Sequence, residues 1–514
     1  MAGPWFVDPE NGLTTNNGLT VATPWQLIPG QTGATSQTGY GVTTGDVINI
    51  RNGTTANAAG DRIVLPANDL TYRGYGVADN VLILTLPKGN GTFSKRVVRE
   101  AGVHEGMWRI DATAITSAGP LNFSTRTGCV IEDLFIENAL ATSAAVIIGT
   151  SSQAQIGATL RRCKVANAVQ GISVYRPDTL LEDVLIDGCD NDGLNINTTA
   201  TQSLHSGRFF RGKNLSILNC GRDTVAGIGD AIQMTSTSTG WAGNLEIANL
   251  YIYKLSAVKQ GVMFGLINGV VKVQGAYMDG GAAGRVSFGV TGTGANGAVT
   301  FRNCVFSVTD AGGNAIVRIA SGALASGSTI TLDSLLVLCS TYGGLFQWGG
   351  GIGTVAGKVY VRNCTAIGVA GNGLSYSAAV SGGTPETLDA AAELVCENNV
   401  FIGASPVAMR VPNGGLNDAR WIFRNNYVSG ATAVGAENLN TYSTVAAFQT
   451  AHSSATVNGS GDPLLTSDYK PTATSPLVST GKHFGYRRDI EGKQRPNPPS
   501  IGAYDAATVV ALVQ

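Results

Sequence analysis

The chain has few charged side chains for its length. Of its 514 residues only 13% are Asp, Glu, Lys or Arg, and the formal net charge is −1. Such a chain has no excess of positive charge that would attract nucleic acid or an anionic membrane, so we expect neither as a partner. No apolar run approaches the roughly 18 residues of a membrane-spanning helix. The first residues also lack a charged region followed by an apolar run, so we expect no signal peptide.

Metal and redox motifs are missing as well. The eight cysteines include no Cys-x-x-Cys pair, and the four histidines fall in no metal or catalytic-triad spacing. Cys163, Cys304 and Cys364 instead share one position of a repeat. We expect free thiols that are buried as a column of small apolar side chains, which suits folding in a reducing cytoplasm.

A short repeat dominates what the sequence does contain. Phe-Arg-Asn-Cys-Val-Phe at residues 301–306 returns as Val-Arg-Asn-Cys-Thr-Ala at 361–366 and as Phe-Arg-Asn-Asn-Tyr-Val at 423–428. Each copy is a β-type run, a polar pair and a second β-type run. A period of roughly 20 to 35 residues predicts a solenoid, in which each coil contacts only its neighbours. The polar centres are Asp133, Arg162, Asp183, Asn214, Asn249, Asn303, Asn363, Asn398 and Asn425.

A second recurrent strand follows the polar pairs and usually opens with a small residue. Its alternation places Ile172, Leu194 and Ile232 inward and the intervening residues outward. The connections lack the amphipathic pattern of helices, which counts against a doubly wound α/β fold. The predicted fold is therefore all-β, a parallel β-helix. The copies lie at 171–175, 193–197, 231–235, 261–265, 315–318, 344–348 and 373–377.

The two ends of the chain resemble known proteins. Residues 5–12 (Trp-Phe-Val-Asp-Pro-Glu-Asn-Gly) and 45–54 resemble the start of right-handed parallel β-helix proteins, although Thr55 stands where an aromatic is usual. Residues 489–496 and 501–505 (Ile-Gly-Ala-Tyr-Asp) resemble the closing motif of bacterial and phage members of this pectate-lyase-like superfamily. The resemblance implies a single right-handed β-helix. It fixes no reaction, because the superfamily includes lyases, hydrolases and proteins without known activity.

These observations predict three regions. Residues 1–120 form an N-terminal cap that leads into the first coils, because a solenoid end would otherwise expose a sheet edge. Residues 121–430 form the coils. Residues 431–514 form an irregular closing segment, with a short helix near residues 441–449.

Asp192 and Asp230 are the candidate catalytic residues. Each precedes the small residue that opens the second strand, which places them on adjacent coils. Two neighbouring carboxylates repel, and this raises one pKa and suits an acid/base or nucleophile pair for glycoside cleavage. The candidate substrate-binding residues are Asn195, Asn197, Gln233, Lys254 and Trp348.

Two other interpretations of the same acidic residues stay open. In other coils the position of Asp192 and Asp230 is occupied by Gln170, Gln260, Asn314 and Asn372. This column of residues can therefore be a ladder of polar turn residues that satisfy backbone groups. Alternatively, Asp190, Asp192 and Asp230 can form a Ca²⁺ site. No other cofactor is expected.

Basic and aromatic residues supply weaker hypotheses. A lyase would need a base and a group that neutralises a uronate, for which Lys254, Lys259 and Arg285 are available, yet isolated basic residues are usually solvated. The motifs of the pectin-hydrolysing β-helices are absent. Phe346 and Trp348 are expected to point away from the core, as is Tyr175, where they could stack on sugar rings or pack against other parts of the protein.

Three functional classes follow from the sequence. The first is a phage virion protein of the tailspike kind that binds, and in some cases depolymerises, a bacterial surface polysaccharide. It would be made in the host cytoplasm, would contact other virion proteins and would form a homotrimer. The second is a secreted polysaccharide lyase or glycoside hydrolase. The third is a structural virion component without activity.

Overall fold

The structure is a computed structural model, and it describes most of residues 4–505. The gaps are residues 56–61, 77–80, 89–90, 100–106, 117–118, 124–125, 141–143, 150–156, 176–177, 199–205, 223–228, 237–240, 254–260, 281–287, 309–316, 320–323, 340–344, 349–355, 369–373, 377–388, 404–406, 412–419, 432, 438–439, 454, 457–458 and 485–486. The backbone alone is described at residues 81–88, 91–99, 198, 235–236, 263, 288–289, 291–292, 308, 318–319, 339, 347–348, 374–376, 407–411, 436–437 and 440.

Two compact units make up the chain. The first covers Met1–Leu86 and Lys95–Met263, and the second covers Pro87–Ser94 and Phe264–Gln514. Nearly all the described regular structure is β-strand, assigned to a sheet of 23 strands (sheet A), a sheet of 14 strands (sheet B) and one hairpin. The prediction of a parallel β-helix is confirmed. Among the described residues no helix is long and apolar enough to span a membrane.

The strands up to residue 253 pair along the first unit. In sheet A the order is β1–β2–β4–β9–β12–β14–β16–β18, with β7–β10–β12 beside it, and all these pairs are parallel. In sheet B the order is β3–β8–β11–β13–β15–β17, also parallel. Parallel strands are therefore already present before residue 120. The bounds are β1 Pro4–Val7, β2 Val47–Arg51, β3 Ile63–Val64, β4 Thr71–Tyr75, β5 Val81–Lys88 and β6 Gly91–Arg99 (the hairpin), β7 Trp108–Asp111, β8 Leu121–Asn122, β9 Val130–Glu132, β10 Leu134–Ala139, β11 Val146–Ile148, β12 Thr159–Ala168, β13 Ile172–Val174, β14 Thr179–Cys189, β15 Leu194–Thr198, β16 Phe209–Leu218, β17 Ile232–Ser236 and β18 Asn244–Tyr253; a 3₁₀ turn covers Ala34–Ser36.

The later strands pair along the second unit. Two parallel rows of sheet A run β20–β22–β25–β28–β31–β34–β38 and β20–β23–β26–β29–β32–β35–β39. Sheet B runs β21–β24–β27–β30–β33–β36 and ends on the antiparallel strand β37. The bounds are β19 Val262–Ile267, β20 Val270–Asp279, β21 Phe288–Thr293, β22 Ala298–Arg302, β23 Val305–Val308, β24 Val317–Ile319, β25 Thr329–Asp333, β26 Leu336–Cys339, β27 Phe346–Trp348, β28 Lys358–Arg362, β29 Thr365–Ile367, β30 Leu374–Tyr376, β31 Glu393–Glu397, β32 Val400–Ile402, β33 Val407–Val411, β34 Trp421–Arg424, β35 Tyr427–Ser429, β36 Ala433–Glu437, β37 Asn440–Tyr442, α1 Val445–Ala451, β38 Ala455–Thr456 and β39 Gly459–Ser460.

The polar centres of the repeat are the corners of the coils. All nine have positive φ angles, between 53° and 64°, and so adopt the left-handed conformation. Asn and Asp reach this region at lower cost than other residues with a side chain, which explains their frequency here. Two coils of the same kind have corners that the sequence did not reveal, Gly275 at φ 69° and Ser334 at φ 58°.

In seven coils of the described part of the chain, a second left-handed residue lies five positions after the corner residue. It is always Asn or Gly. This position lies at the end of a sheet A strand, as its last residue but one or as the first residue after it. The seven residues are Asn138, Asn167, Gly188, Asn219, Gly368, Gly403 and Gly430.

The corner side chains hydrogen-bond from coil to coil. In the second unit Asn363 Nδ2 donates to Asp333 Oδ1 at 3.0 Å, and Asn398 Nδ2 donates to Asn363 Oδ1 at 3.1 Å. In the first unit Asn214 Nδ2 donates to Asp183 Oδ1 at 2.7 Å. At these corners the polar side chains thus satisfy one another, whereas both polar atoms of the buried Asn425 side chain lack a hydrogen-bond partner among the described residues.

The cysteines at the corners are buried thiols. Seven cysteines are free and buried in the described part of the chain, as predicted. They do not form one continuous column, however. The strand register puts Leu335 between Cys304 and Cys364, and Cys163 pairs with Val184. Burial raises the pKa of both Cys163 and Cys304 to about 12.

Aromatic side chains secure the N-terminal segment. Trp5 stacks on Trp25 with ring centroids 4.6 Å apart, and Trp25 is fully buried. The Trp5 indole donates to Asp46 Oδ2 at 2.8 Å, and Arg51 pairs with Asp8 at 2.7 Å. These contacts fasten residues 5–25 to β2.

The C-terminal segment packs along the side of the coils of its own unit. Arg495 is 3% exposed, pairs with Asp505 at 3.0 Å and donates to the carbonyl oxygens of Gly502 and Ala503. The Ala503 N–H donates to Thr365 Oγ1 at 2.9 Å, which ties this loop to β29. Leu477 and Ile501 complete the contact in a cluster with Val400 and Tyr427.

The predicted short helix is α1, and it covers the last coil. Thr444 caps its N-terminus by accepting from the Ala447 N–H at 3.1 Å. Phe448 is fully buried and contacts Phe423 edge-to-face at 5.7 Å. A Cβ at Gly435 would lie 2.3 Å from the Phe448 ring, so glycine is required at this contact.

Asn363 is 1% exposed. The corner geometry predicts that it stabilises the fold in two separable ways, through its side-chain hydrogen bonds and through its tolerance of the left-handed conformation. Asn363→Gly removes the two side-chain hydrogen bonds but keeps the left-handed conformation, and we expect a loss of about 1 to 3 kcal/mol in the free energy of unfolding. Asn363→Ala should lose about 1 kcal/mol more because alanine is strained there. Urea denaturation of both variants measures the difference. Equal stability of Asn363→Gly and the parent would show that the ladder contributes nothing.

Candidate functional site

Sheet B of the first unit brings the predicted acidic residues together. Leu194 pairs with Ile232 in β15 and β17, so Asp192 and Asp230 occupy equivalent positions two residues earlier. The backbone continues this register, because the Gly193 N–H donates to the Asp230 carbonyl at 3.1 Å and the Gly171 N–H donates to the Asp192 carbonyl at 3.0 Å. The prediction that the two aspartates lie on adjacent coils is confirmed.

Three donors converge on the Asp192 carboxylate. The Asp230 N–H donates to Oδ1 at 2.9 Å, while Asn195 Nδ2 and Gln170 Nε2 donate to Oδ2 at 2.9 and 3.2 Å. An ionised carboxylate, which only accepts, suits this arrangement. Asp192 and Asp230 are each 5% exposed. Asp192 therefore holds the turn before the strand together, as the ladder interpretation expects.

Polar side chains form a row on the outward face of sheet B. The strand register aligns Asn122, Ile147, Ser173, Asn195 and Gln233 in neighbouring coils; Ile147 interrupts the polar row, and Ser173 is 3% exposed. Asn195 Nδ2 lies 3.3 Å from Gln233 Oε1, and Ser173 Oγ donates to Gln170 Oε1 at 2.9 Å. Ser173 and Asn122 were not singled out in the sequence, although the alternation of each strand puts them on this face.

Asn197 extends the face by one more position. It pairs with Thr235 in the register of β15 and β17 and lies two residues beyond Asn195 on the same side of the strand. Tyr175 follows β13 and is half-buried. We call the row together with Asn197 and Tyr175 the sheet B face.

Calcium binding stays a prediction. Asp190, one of its three expected ligands, pairs instead with Arg222 at 2.8 Å. Within the residues that the structure describes, no group of three His, Cys, Asp or Glu side chains is arranged to hold a metal ion.

Several candidates lie outside the described residues. They are Lys254, Lys259 and Arg285, together with Gln260, Asn314 and Asn372 of the polar column. The side chain of Trp348 is also outside the description, although its backbone lies in β27.

The expected outward position of Phe346 is wrong. Phe346 is fully buried and pairs in register with Val317, itself fully buried. The sequence pattern predicts Leu345 as the inward residue, and a shift of one residue exchanges the two faces of a strand. Both Leu345 and Phe346 are buried, so the hydrophobic pattern alone could not fix the register of this strand.

The chain is a parallel β-helix protein. Scans against protein-family models and against curated proteins found no match. Among solved structures it is similar to XylC in complex with xylose, at 10% identity over 98% of both chains with a TM-score of 0.49. It is similar to pectate lyase Pel9A at 14% identity, over 98% of this chain and 96% of that one, with a TM-score of 0.39.

A tailspike is also among the similar structures. This is gp49 from the Acinetobacter baumannii bacteriophage Fri1, a capsular polysaccharide depolymerase. The identity is 11% over 76% of this chain and 56% of that one, with a TM-score of 0.32.

The hydrogen bonds of Asp192 predict that the free energy of unfolding depends strongly on its acceptor oxygens. Asp192→Ala leaves three donors without their partner, and we expect a loss of about 2 to 4 kcal/mol in the free energy of unfolding. Asp192→Asn keeps one acceptor oxygen for the Asp230 N–H, and the amides of Asn195 and Gln170 must both turn to accept from the new Nδ2, so we expect a smaller loss of about 1 kcal/mol. Urea denaturation of the two variants tests this. Equal losses would contradict an acceptor role.

Proposed function

We propose that the protein binds a polysaccharide along the sheet B face. The observation that carries the proposal is the in-register pair of partly exposed amides, Asn195 and Gln233, whose groups both donate and accept. Sugar hydroxyls have the same dual character, so such groups suit an uncharged or weakly charged glycan. The formal net charge of −1 fits this choice.

The repeat of the face supports a repeating ligand. Neighbouring parallel strands lie about 4.8 Å apart, which is comparable to the length of one sugar ring. A polysaccharide lying along the stack would therefore meet one polar position per sugar. Tyr175 adds an aromatic ring at the side of the row, where a sugar ring can stack.

Asp192 would act on this face by positioning its neighbour. Its Oδ2 accepts from Asn195 Nδ2 and from Gln170 Nε2, so the Asn195 amide is held in one orientation before a ligand arrives. A fixed polar group loses less conformational entropy on binding than a mobile one.

Cleavage of the bound polysaccharide is the second candidate, and the adjacent buried aspartates favour it. Two carboxyl groups that are both 5% exposed on adjacent coils disfavour a double negative charge, which suits one acid and one base. Asp230 and Asp192 are the candidate catalytic residues. Lys254 and Trp348 remain candidate substrate-binding residues.

In this proposal the biological role is that of a tailspike-like virion protein. Its folding in the host cytoplasm is supported by the seven free, buried cysteines in the described part of the chain. The partners would be a bacterial surface polysaccharide and other virion proteins, and the assembly a homotrimer. A secreted lyase or hydrolase and an inactive structural virion component are the alternatives. A trimer in light scattering supports the tailspike role, and a monomer supports the secreted enzyme.

The binding proposal predicts that polar substitutions on the face weaken glycan binding. On a panel of bacterial capsular and cell-wall polysaccharides, Asn195→Ala and Gln233→Ala should each raise the Kd of the tightest ligand by about 5- to 10-fold, the loss of one or two hydrogen bonds. Gln26→Ala, an exposed glutamine of the N-terminal segment, is the matched control and should leave the Kd unchanged. Binding that is insensitive to both face variants would place the site elsewhere.

Cleavage of the polysaccharide is measured separately from binding. Reducing ends without new ultraviolet absorbance indicate a hydrolase, whereas absorbance from unsaturated uronate ends indicates a lyase. Asp230→Asn and Asp192→Asn should each reduce the rate at least 100-fold while binding persists. Activity that survives both substitutions would leave the aspartates with the structural role alone.

A further inference from the structure

We propose that Cys189 and Cys220 form a disulfide-capable pair that joins two coils beside the Asp192 turn. The pair is set apart from the other cysteines by its place in the stack. β14 and β16 are in register up to Asp187 and Leu218, and continuing this register by two residues brings Cys189 opposite Cys220. The inference is independent of any polysaccharide binding.

The two thiols lie close enough to interact. Interaction with the Cys220 thiol, and then burial, raise the pKa of Cys189 well above its ordinary value, while Cys220 Sγ itself donates to the Leu218 carbonyl at 3.2 Å. Cys189 and Cys220 are 0% and 2% exposed. Neighbouring parallel strands hold their Cα atoms about 4.8 Å apart, which lies within the range of about 4.4 to 6.8 Å that a disulfide spans.

The backbone around the pair is already fixed. The Arg222 N–H donates to the Cys189 carbonyl at 3.4 Å, and the Gly221 N–H donates to the Asn191 carbonyl at 2.8 Å. A Cβ at Gly193 would lie 3.1 Å from Cys220 Sγ, so glycine leaves the sulfur its space. The two cysteines therefore sit on segments that stay together whether or not the bond forms.

The other described corner cysteines lack such an opposite thiol. Cys163 pairs with Val184, and Leu335 stands between Cys304 and Cys364. Cys396 pairs with Val361 on one side and Phe423 on the other. A selective product is thus expected.

A peroxide would oxidise the two thiols in two steps. The thiolate of one cysteine attacks a peroxide oxygen, which gives a sulfenic acid and water. The second thiol then attacks the sulfenic sulfur, the S–S bond forms, and the hydroxide leaves as water with the proton of that thiol. Two thiols and one hydrogen peroxide give one disulfide and two waters. Burial and the raised pKa make the first step slow, so the pair stays reduced in a reducing cytoplasm.

A disulfide between these cysteines would link two coils covalently close to the sheet B face. Asp190, Asn191 and Asp192 directly follow Cys189 in sequence, so the bond would join the turn that holds Asn195 to the next coil. A molecule that folds reduced and later meets an oxidising exterior would gain this link after folding. Closing the loop between Cys189 and Cys220 should raise the melting temperature by roughly 2 °C or more.

Peptide mapping under non-reducing conditions tests the pair. Folded protein is incubated for an extended time with hydrogen peroxide, digested without reductant and analysed by mass spectrometry. We expect a linked peptide containing Cys189 and Cys220, about 2 Da lighter than the two free peptides, together with the rise in melting temperature that a reductant reverses.

Two variants make the test specific. Cys163→Ser is the matched control, a buried cysteine with an apolar strand neighbour, and the linked peptide should persist in it. Cys220→Ser should abolish both the linked peptide and the reversible rise in melting temperature. Absence of the linked peptide in the parent, or a peroxide-induced rise that survives in Cys220→Ser, would overturn the proposal.

Discussion

The fold depends on one left-handed residue at the corner of each coil. A strand that reaches the corner must turn sharply without leaving sheet A, and a single residue with φ near 55° achieves this. Asn and Asp accept that conformation and also carry the side chain that bonds to the next corner, as Asn363 does with Asp333 and Asn398. Conformational tolerance and hydrogen bonding thus select the same residue types, so the repeat persists although the rest of each coil varies.

Charge fixes the register beside this corner. Over four successive coils of each unit the residue before the corner alternates in sign, with Glu132, Arg161, Glu182 and Lys213 in the first unit and Asp333, Arg362, Glu397 and Arg424 in the second. The equivalent residues Ala248 and Gln274 are uncharged. Arg161 pairs with both Glu132 and Glu182, at 2.8 and 2.9 Å, and the fully buried Glu397 pairs with Arg362 and Arg424. A shift by one coil would set like charges against each other, so the ladder opposes mispairing of similar coils.

Sequence reasoning succeeded where a residue type follows from backbone geometry and was weaker where position depends on neighbours. Most corners could be found because left-handed φ selects Asn and Asp, and Gly275 and Ser334 escaped because neither fits the Asn and Asp pattern. The adjacency of Asp192 and Asp230 followed from strand alternation. Phe346 was misplaced because two consecutive apolar residues satisfy either register. The pairing of Cys189 with Cys220 needed the strand register itself, and the three hydrogen bonds of Asp192 join residues from three coils that no local pattern connects.

The regular spacing of residues in the candidate site depends on the corners of the coils. Coils locked at the corner keep the opposite sheet in register, so Ser173, Asn195 and Gln233 recur at the same outward position. The most direct test is a crystal structure of the protein with an oligosaccharide fragment of its tightest glycan ligand. The account predicts a sugar chain along the sheet B face, within hydrogen-bond distance of Asn195 and Gln233. A ligand bound to the coils away from this face would contradict it.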